Sequence, residues 1–294
     1  MLVTLNELLP AAAAGGYAVP CFNIFGNEDA TAVLNAAQQR QRGVILACNK
    51  DMADSMGVQG FASMVKGLAQ RVQVPVCIHL DHCYEEAIVY SALRAGFTSV
   101  MFDGSQLPLQ QKIERTARVA EVAHAFGASV EGEIGSVPYS EGRDHIKSEL
   151  TEPAAAAAFA QASGVDCMAI AVGNVHRLRS ADCAVDFELL ARIEAATTLP
   201  LVIHGMSGIR REDLLALKRT RVAKFNVGTS MRMAFGRSLR ASLAANPELF
   251  DRLQLMQPVV AALQDQAHAI FELLQADERP ALGQGQTTHE EAKA

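Results

Sequence analysis

Eight short apolar runs recur along the chain, most of them separated by stretches with helical spacing. That alternation limits the fold more than any other feature. The runs are 17–24 (YAVPCFNI), 43–48 (GVILAC), 75–80 (PVCIHL), 98–102 (TSVMF), 128–134 (ASVEGEI), 167–172 (CMAIAV), 200–205 (PLVIHG) and 222–227 (VAKFNV). Segments 28–40, 85–96, 109–127, 152–164, 186–197 and 211–220 place apolar residues three and four apart, and several end in Gly, a common helix stop. Strands that are apolar almost throughout are buried on both faces, which requires a parallel sheet with helices outside it. Eight such units predict an α/β protein, a (β/α)8 TIM barrel. No G-x-G-x-x-G follows the first run, so a dinucleotide-binding open sheet is not expected. Helical spacing resumes at 229–245 and near 258–276 as a C-terminal helical extension. Residues 1–276 read as one domain, and 277–294 as a polar, flexible tail.

Composition narrows the function classes. The chain of 294 residues has 26 Lys and Arg against 32 Asp and Glu, a net charge of −6. The basic residues are scattered, so no nucleic-acid partner is expected. No apolar run reaches the ~18 residues of a membrane span, and the N-terminus lacks the basic start of a signal peptide. The six cysteines show no C-x-x-C spacing and most sit in apolar runs, as buried reduced thiols do. A cytoplasmic protein is therefore expected.

Catalytic groups of such a barrel lie at the C-terminal ends of its strands. Polar or ionisable residues recur there on six consecutive strands: Asp81 and His82, Asp103, Glu131 and Glu133, His176, His204, and Asn226. Three histidines on one rim point to a metal. Three protein ligands with an open fourth position is the pattern of catalytic zinc. Gly205-Met206-Ser207-Gly208 and Asn226-Val227-Gly228-Thr229 follow the seventh and eighth strands and precede helices. Small residues and helix N-termini at those two loops suit a phosphate.

Taken in order, IHLDH, MFDGS, VEGEIG, AVGNVH, LVIHGMSG and KFNVGT resemble the class II ketose-bisphosphate aldolases, the tagatose- and fructose-bisphosphate type. The resemblance runs from Phe22-Asn23 to Phe235. It implies that His82, His176 and His204 hold Zn2+, and that Asp81 is the general acid. It also implies a secondary or alternative metal position at Asp103 and Glu133. Asn23, Gly205 to Ser207 and Asn226 to Thr229 would bind substrate. Eight residues beyond Glu133, Glu141 falls where the family has a proton-transferring loop Glu. The reaction implied is reversible retro-aldol cleavage of a phosphorylated ketose to dihydroxyacetone phosphate and an aldehyde. Zinc would act as the Lewis acid and Asp81 would move the C4 hydroxyl proton. A monovalent cation or second divalent ion, and a homodimer or homotetramer, are further implications.

Three positions depart from the family. Arg177 stands where a Gly usually follows the second His ligand, adding a positive fork suited to phosphate, carboxylate or sulfonate. Pro138-Tyr139 replaces paired glycines before the catalytic Glu and should stiffen that loop. The second strand ends in Cys48-Asn49-Lys50, which could face the substrate. These departures point to a related enzyme acting on a different anionic ketose phosphate as the alternative. A metal-dependent barrel hydrolase is less favoured, because no H-x-H occurs in the chain. A non-catalytic relative is disfavoured by the retention of all three His and Asp81. Lys224 is the one candidate for Schiff-base chemistry, and three histidines weigh against it.

Overall fold

The computed structural model describes residues 1–142 and 146–275. Eight parallel strands close into a barrel in sequence order, β1 pairing β8. They are β1 (Val19–Asn23), β2 (Val44–Cys48), β3 (Val76–Cys83), β4 (Ser99–Phe102), β5 (Ser129–Ile134), β6 (Cys167–Ile170), β7 (Leu201–Ile203) and β8 (Val222–Val227). Each overlaps a run that the sequence marks. β3 extends three residues past its expected end, carrying Asp81 and His82 into the strand.

Alternation along the strands builds two layers. Phe22, Leu46, Ile78, Val130, Ile170, Ile203 and Phe225 point outward against the helices. Cys21, Ile45, Ala47, Cys77, Cys167 and Val202 point inward. The helices are α1 (Leu5–Gly15), α2 (Asn27–Arg40), α3 (Lys50–Ala69), α4 (Glu86–Ala95) and α5 (Leu109–Ala125), then α6 (Pro153–Ala162), α7 (Phe187–Ala196), α8 (Arg211–Leu217), α9 (Thr229–Ala245) and α10 (Arg252–Gln275). α10 covers β1, with Phe271 5.6 Å from Phe22 between ring centroids. The segment 277–294, expected as a tail, lies outside the described residues.

Two helices carry no clear signal in the sequence. α1 holds Pro10, yet its Leu5, Leu8, Leu9 and Ala12 are buried on one face. That face packs on the inward residues at the N-terminal end of the barrel, and Thr4 with Glu7 caps the helix start. α3 is broken at Gly57, whose φ of 75° is left-handed, so its apolar period is interrupted. No helix among the described residues is long and apolar enough to cross a membrane.

Candidate active site

The C-terminal end of the barrel opens into a cavity lined by Asn23, Asn49, Lys50, Asp81, His82, Tyr139, His176, Arg177, Gly205 to Ser207, Asn226, Gly228, Thr229 and Arg232. Strand alternation would send Asp81 and His82 to opposite faces. Both reach the cavity, because His82 has a left-handed φ of 49° and the β3–β4 register shifts between Leu80 and Cys83. A bulge of this kind re-aims a side chain at the cost of local strain.

His82, His176 and His204 converge. One ring nitrogen of each lies within 4.8 Å of the others. His82 Nε2, His176 Nε2 and His204 Nδ1 are buried and have no hydrogen-bond partner, a costly state unless something fills the gap between them. The opposite nitrogens of two rings are engaged. His82 Nδ1 is 2.8 Å from Asp103 Oδ2, and His204 Nε2 is 2.9 Å from Glu131 Oε1. Carboxylates accept, so these nitrogens donate and the orphaned ones carry the lone pairs. Burial, with His82 nearby, holds His176 and His204 well below the ordinary imidazole pKa, so both are neutral. Burial opposes a charge on His82 as well, but Tyr139, Asp81 and Asp103 push its pKa well up. The field at that point favours a cation. The three neutralisable imidazoles therefore fit a metal ion.

Asp81 is almost fully buried, and its two oxygens accept from Asn226 Nδ2 and Asn23 Nδ2 at 2.9 Å each. Burial raises its pKa, yet His82, His204, Lys224 and Asn23 more than reverse this, and it stays ionised. Beneath it runs a buried ladder. Lys224 Nζ donates to Asn226 Oδ1 at 2.6 Å and pairs with Glu131 Oε2 at 2.8 Å. Burial alone would lower the pKa of Lys224, but Glu131 and Asp81 are among the groups that raise it above normal. It is an ammonium ion in a pair, which argues against a Schiff-base role.

Other expected site residues fall in several places. Gly205 has φ 72°, and a Cβ there would lie 2.4 Å from the Val175 carbonyl oxygen; only glycine lets the β7 loop pass the loop bearing His176. Gly228 and Thr229 line the cavity and open α9 without a side-chain cap, so the first N–H groups of the helix have no side-chain cap partner. The Val227 side chain turns into the outer core and does not line the cavity. Asp103 and Glu133 sit behind His82 rather than in the cavity wall. Glu133 Oε2 lies 3.7 Å from His82 Nδ1, and burial with the adjacent Asp103 pushes the Glu133 pKa up to about 8. Together with His82 they form a second group that could hold an ion. Glu141 is exposed, paired with Arg179 at 2.7 Å, and lines a neighbouring cleft instead of the cavity lined by His82 and His176. Cys48 packs into the outer layer, while Asn49 and Lys50 do line the cavity.

Arg177 adopts φ 63°, a left-handed conformation that favours glycine. Its guanidinium reaches Asp51 at 3.3 Å and lies 5.3 Å from the Tyr139 ring centroid. Arg232 is a cavity residue that reasoning on the sequence missed. The signal was available: Thr229, Arg232, Gly236 and Arg240 recur at helical spacing on one face of α9, and all line the neighbouring cleft. Glu131, marked only as a rim residue, lies one layer deeper beneath His204.

A parallel barrel that gathers imidazoles, a carboxylate and two glycine-containing turns on its C-terminal rim is the frame of a metal-dependent barrel enzyme. Residues 3–279 match the family described as Fructose-bisphosphate aldolase class-II, and the chain belongs to that family. It is therefore an aldolase, a carbon–carbon lyase, in a metal-dependent family. The YdjI aldolase from Escherichia coli K12 is 28% identical, with a TM-score of 0.82 over 95% of this chain and 99% of that one. The fructose-bisphosphate aldolase from Campylobacter jejuni shares the fold at 22% identity, with a TM-score of 0.79 over 93% and 95%.

Proposed function

We propose that this aldolase uses Zn2+ held by His82, His176 and His204 to cleave a phosphorylated ketose reversibly into dihydroxyacetone phosphate and an aldehyde. One observation carries this reading: three buried ring nitrogens without partners face one another beside an ionised Asp81. All-nitrogen ligation with carboxylates behind two of the three rings suits zinc. When bound, the ion would supply Lewis-acid polarisation of the substrate's carbonyl and adjacent hydroxyl oxygens.

The chain's own groups do the rest. Asp81, fixed by two amide donors, takes the C4 hydroxyl proton in cleavage and returns it to the aldehyde oxygen in condensation. The turn Gly205–Ser207 and the start of α9 at Asn226–Thr229 bind the phosphate through backbone N–H groups. Glu141 exchanges the proton on the carbon next to the carbonyl, after its loop leaves Arg179. Asp103 and Glu133 offer a secondary position for a divalent or monovalent cation beside His82.

The distal end of the substrate is anionic in this proposal. Lys50, Arg177 and Arg232 edge the cavity. The adjoining cleft, about 450 Å³, adds Arg179, Arg237 and Arg240. A fructose- or tagatose-1,6-bisphosphate-like ketose fits this charge. Arg177 favours a second reading within the same chemistry, a ketose phosphate with another terminal anion. We further propose a cytoplasmic homodimer or homotetramer. Six free, buried cysteines support a reducing compartment. Exposed Phe250, just before α10, and Leu253, in its first turn, support a partner surface.

The test is a panel of ketose phosphates assayed for triose phosphate release with and without chelator, alongside zinc analysis. Release that stops with chelator and returns with zinc is expected. Release that persists in metal-free protein, or none from any ketose phosphate, would sink the proposal.

A further inference from the structure

The three rings of the metal-binding group are not held alike. His82 is fixed through Nδ1 by Asp103, and His204 through Nε2 by Glu131. A metal-ligating imidazole almost always has such a partner on its second nitrogen, because the partner stops the ring turning about its bond to Cβ and keeps the lone pair aimed. Among the described residues, neither ring nitrogen of His176 has a carboxylate or other side-chain hydrogen-bond partner. The Tyr139 ring lies flat against it instead, with centroids 4.3 Å apart and planes 19° apart.

Tyr139 cannot slide away from that position easily. The His176 N–H donates to the Pro138 carbonyl at 2.8 Å, and the Ser140 N–H donates to the His176 carbonyl at 3.0 Å. The two residues therefore form a parallel bridge, and the ring of each rises from a paired backbone. Arg177, next in the chain, lays its guanidinium over the same tyrosine ring. Rotation of the His176 ring would drive its edge into the Tyr139 face.

We propose that Tyr139 is the positioning residue for the third metal ligand, doing by ring stacking what Asp103 and Glu131 do for the other two by hydrogen bonds. The proposal rests on the reading of His82, His176 and His204 as a metal site. On this view Pro138-Tyr139 does more than stiffen the loop. It makes the loop that bears Glu141 part of the metal site's support.

The test measures zinc release from the full-length holoprotein into excess chelator, for the wild type, Tyr139→Phe and Tyr139→Ser. Loss of a partner that orients a ligand weakens metal binding by about 10- to 100-fold, so Tyr139→Ser should release zinc about ten-fold faster or more. Tyr139→Phe keeps the ring and should match the wild type. The visible spectrum of cobalt-substituted protein provides a second readout, changed in Tyr139→Ser and unchanged in Tyr139→Phe. Tyr139→Leu, which fills the space without a flat face, should behave like Tyr139→Ser, and it guards against a folding defect. Equal zinc release from wild type and Tyr139→Ser overturns the proposal alone. So does Tyr139→Phe releasing as fast as Tyr139→Ser, because the hydroxyl would then be the group at work. Wild-type protein that takes up no zinc overturns the metal reading and this proposal together.

Discussion

Glu131 accepts a hydrogen bond from Nε2 of His204 at 2.9 Å, inside the barrel and one layer below the cavity. Its other oxygen pairs with Lys224 at 2.8 Å. The lysine keeps the glutamate ionised against its burial, and the glutamate selects the tautomer of His204 that leaves Nδ1 free. A single charge pair on β5 and β8 thus sets the direction in which a residue beyond β7 can donate its lone pair.

Removing that charge should be felt at the metal. Glu131→Gln keeps the shape but presents a neutral group to His204, and zinc affinity should fall by about 10- to 100-fold. A competition titration against a chromogenic chelator measures it. Unchanged affinity would mean that His204 does not depend on Glu131.

Arg177→Gly should separate strain from specificity. A non-glycine residue in the left-handed region carries a cost of roughly 1–2 kcal/mol, so the variant should unfold at higher denaturant if the turn keeps its shape. It should also lose preference for substrates with a distal anion, raising KM for them more than for neutral-ended analogues. The same ranking of substrates in wild type and variant would remove Arg177 from any specificity role.

Glu141 and Arg179 form a pair on the rim of the cleft beside the histidine-lined cavity. Proton exchange on dihydroxyacetone phosphate, followed by tritium uptake from solvent or by NMR, should be abolished or slowed by Glu141→Ala. Arg179→Ala frees the carboxylate and should leave exchange intact or faster. Exchange at the wild-type rate in Glu141→Ala would end the proton-transfer assignment.

His79 gives the fold an acid-sensitive element. Its Nδ1 lies 2.8 Å from Ser99 Oγ in the barrel interior. Burial, aided by Lys224, lowers its pKa from 6.5 to about 3. The unfolded chain therefore binds a proton near pH 6.5, whereas the folded chain does not until about pH 3. The neutral ring's contribution to stability is complete above pH 6.5 and is lost as pH falls toward 3. A bound cation above it would deepen the shift in the same direction. Urea midpoints between about pH 4 and 7 should fall less steeply in His79→Gln than in wild type, and parallel slopes would exclude the residue.

The strands were legible because both their faces are buried, which leaves continuous apolar runs in the chain. The rim positions of Asp81, His82, His204 and Asn226 followed from those runs alone. The depth of Glu131 did not, since it depends on which strand residues sit opposite one another around a closed barrel. Nor did the outward turn of Val227, because phosphate loops are marked by their backbone and not by each side chain. α1 was obscured by Pro10 and α3 by Gly57, although burial against the barrel overrides both local signals. The contact of Tyr139 with His176 joins two loops far apart in sequence, and neither residue's neighbours announce it.

α1 closes the N-terminal end of the barrel, and the Glu131–Lys224 ladder fills the space above it. The cavity is thus a blind cup rather than a passage, and its contents must come and go by one mouth. Whatever seats deepest goes in first and comes out last. The turns after β7 and β8 lie on the rim of that mouth, so a phosphate held there would sit beside the opening while the rest of a ketose reaches down to Asp81. Exchange with solvent at Asp81 must then pass the rim, so whatever occupies the rim controls access to the floor.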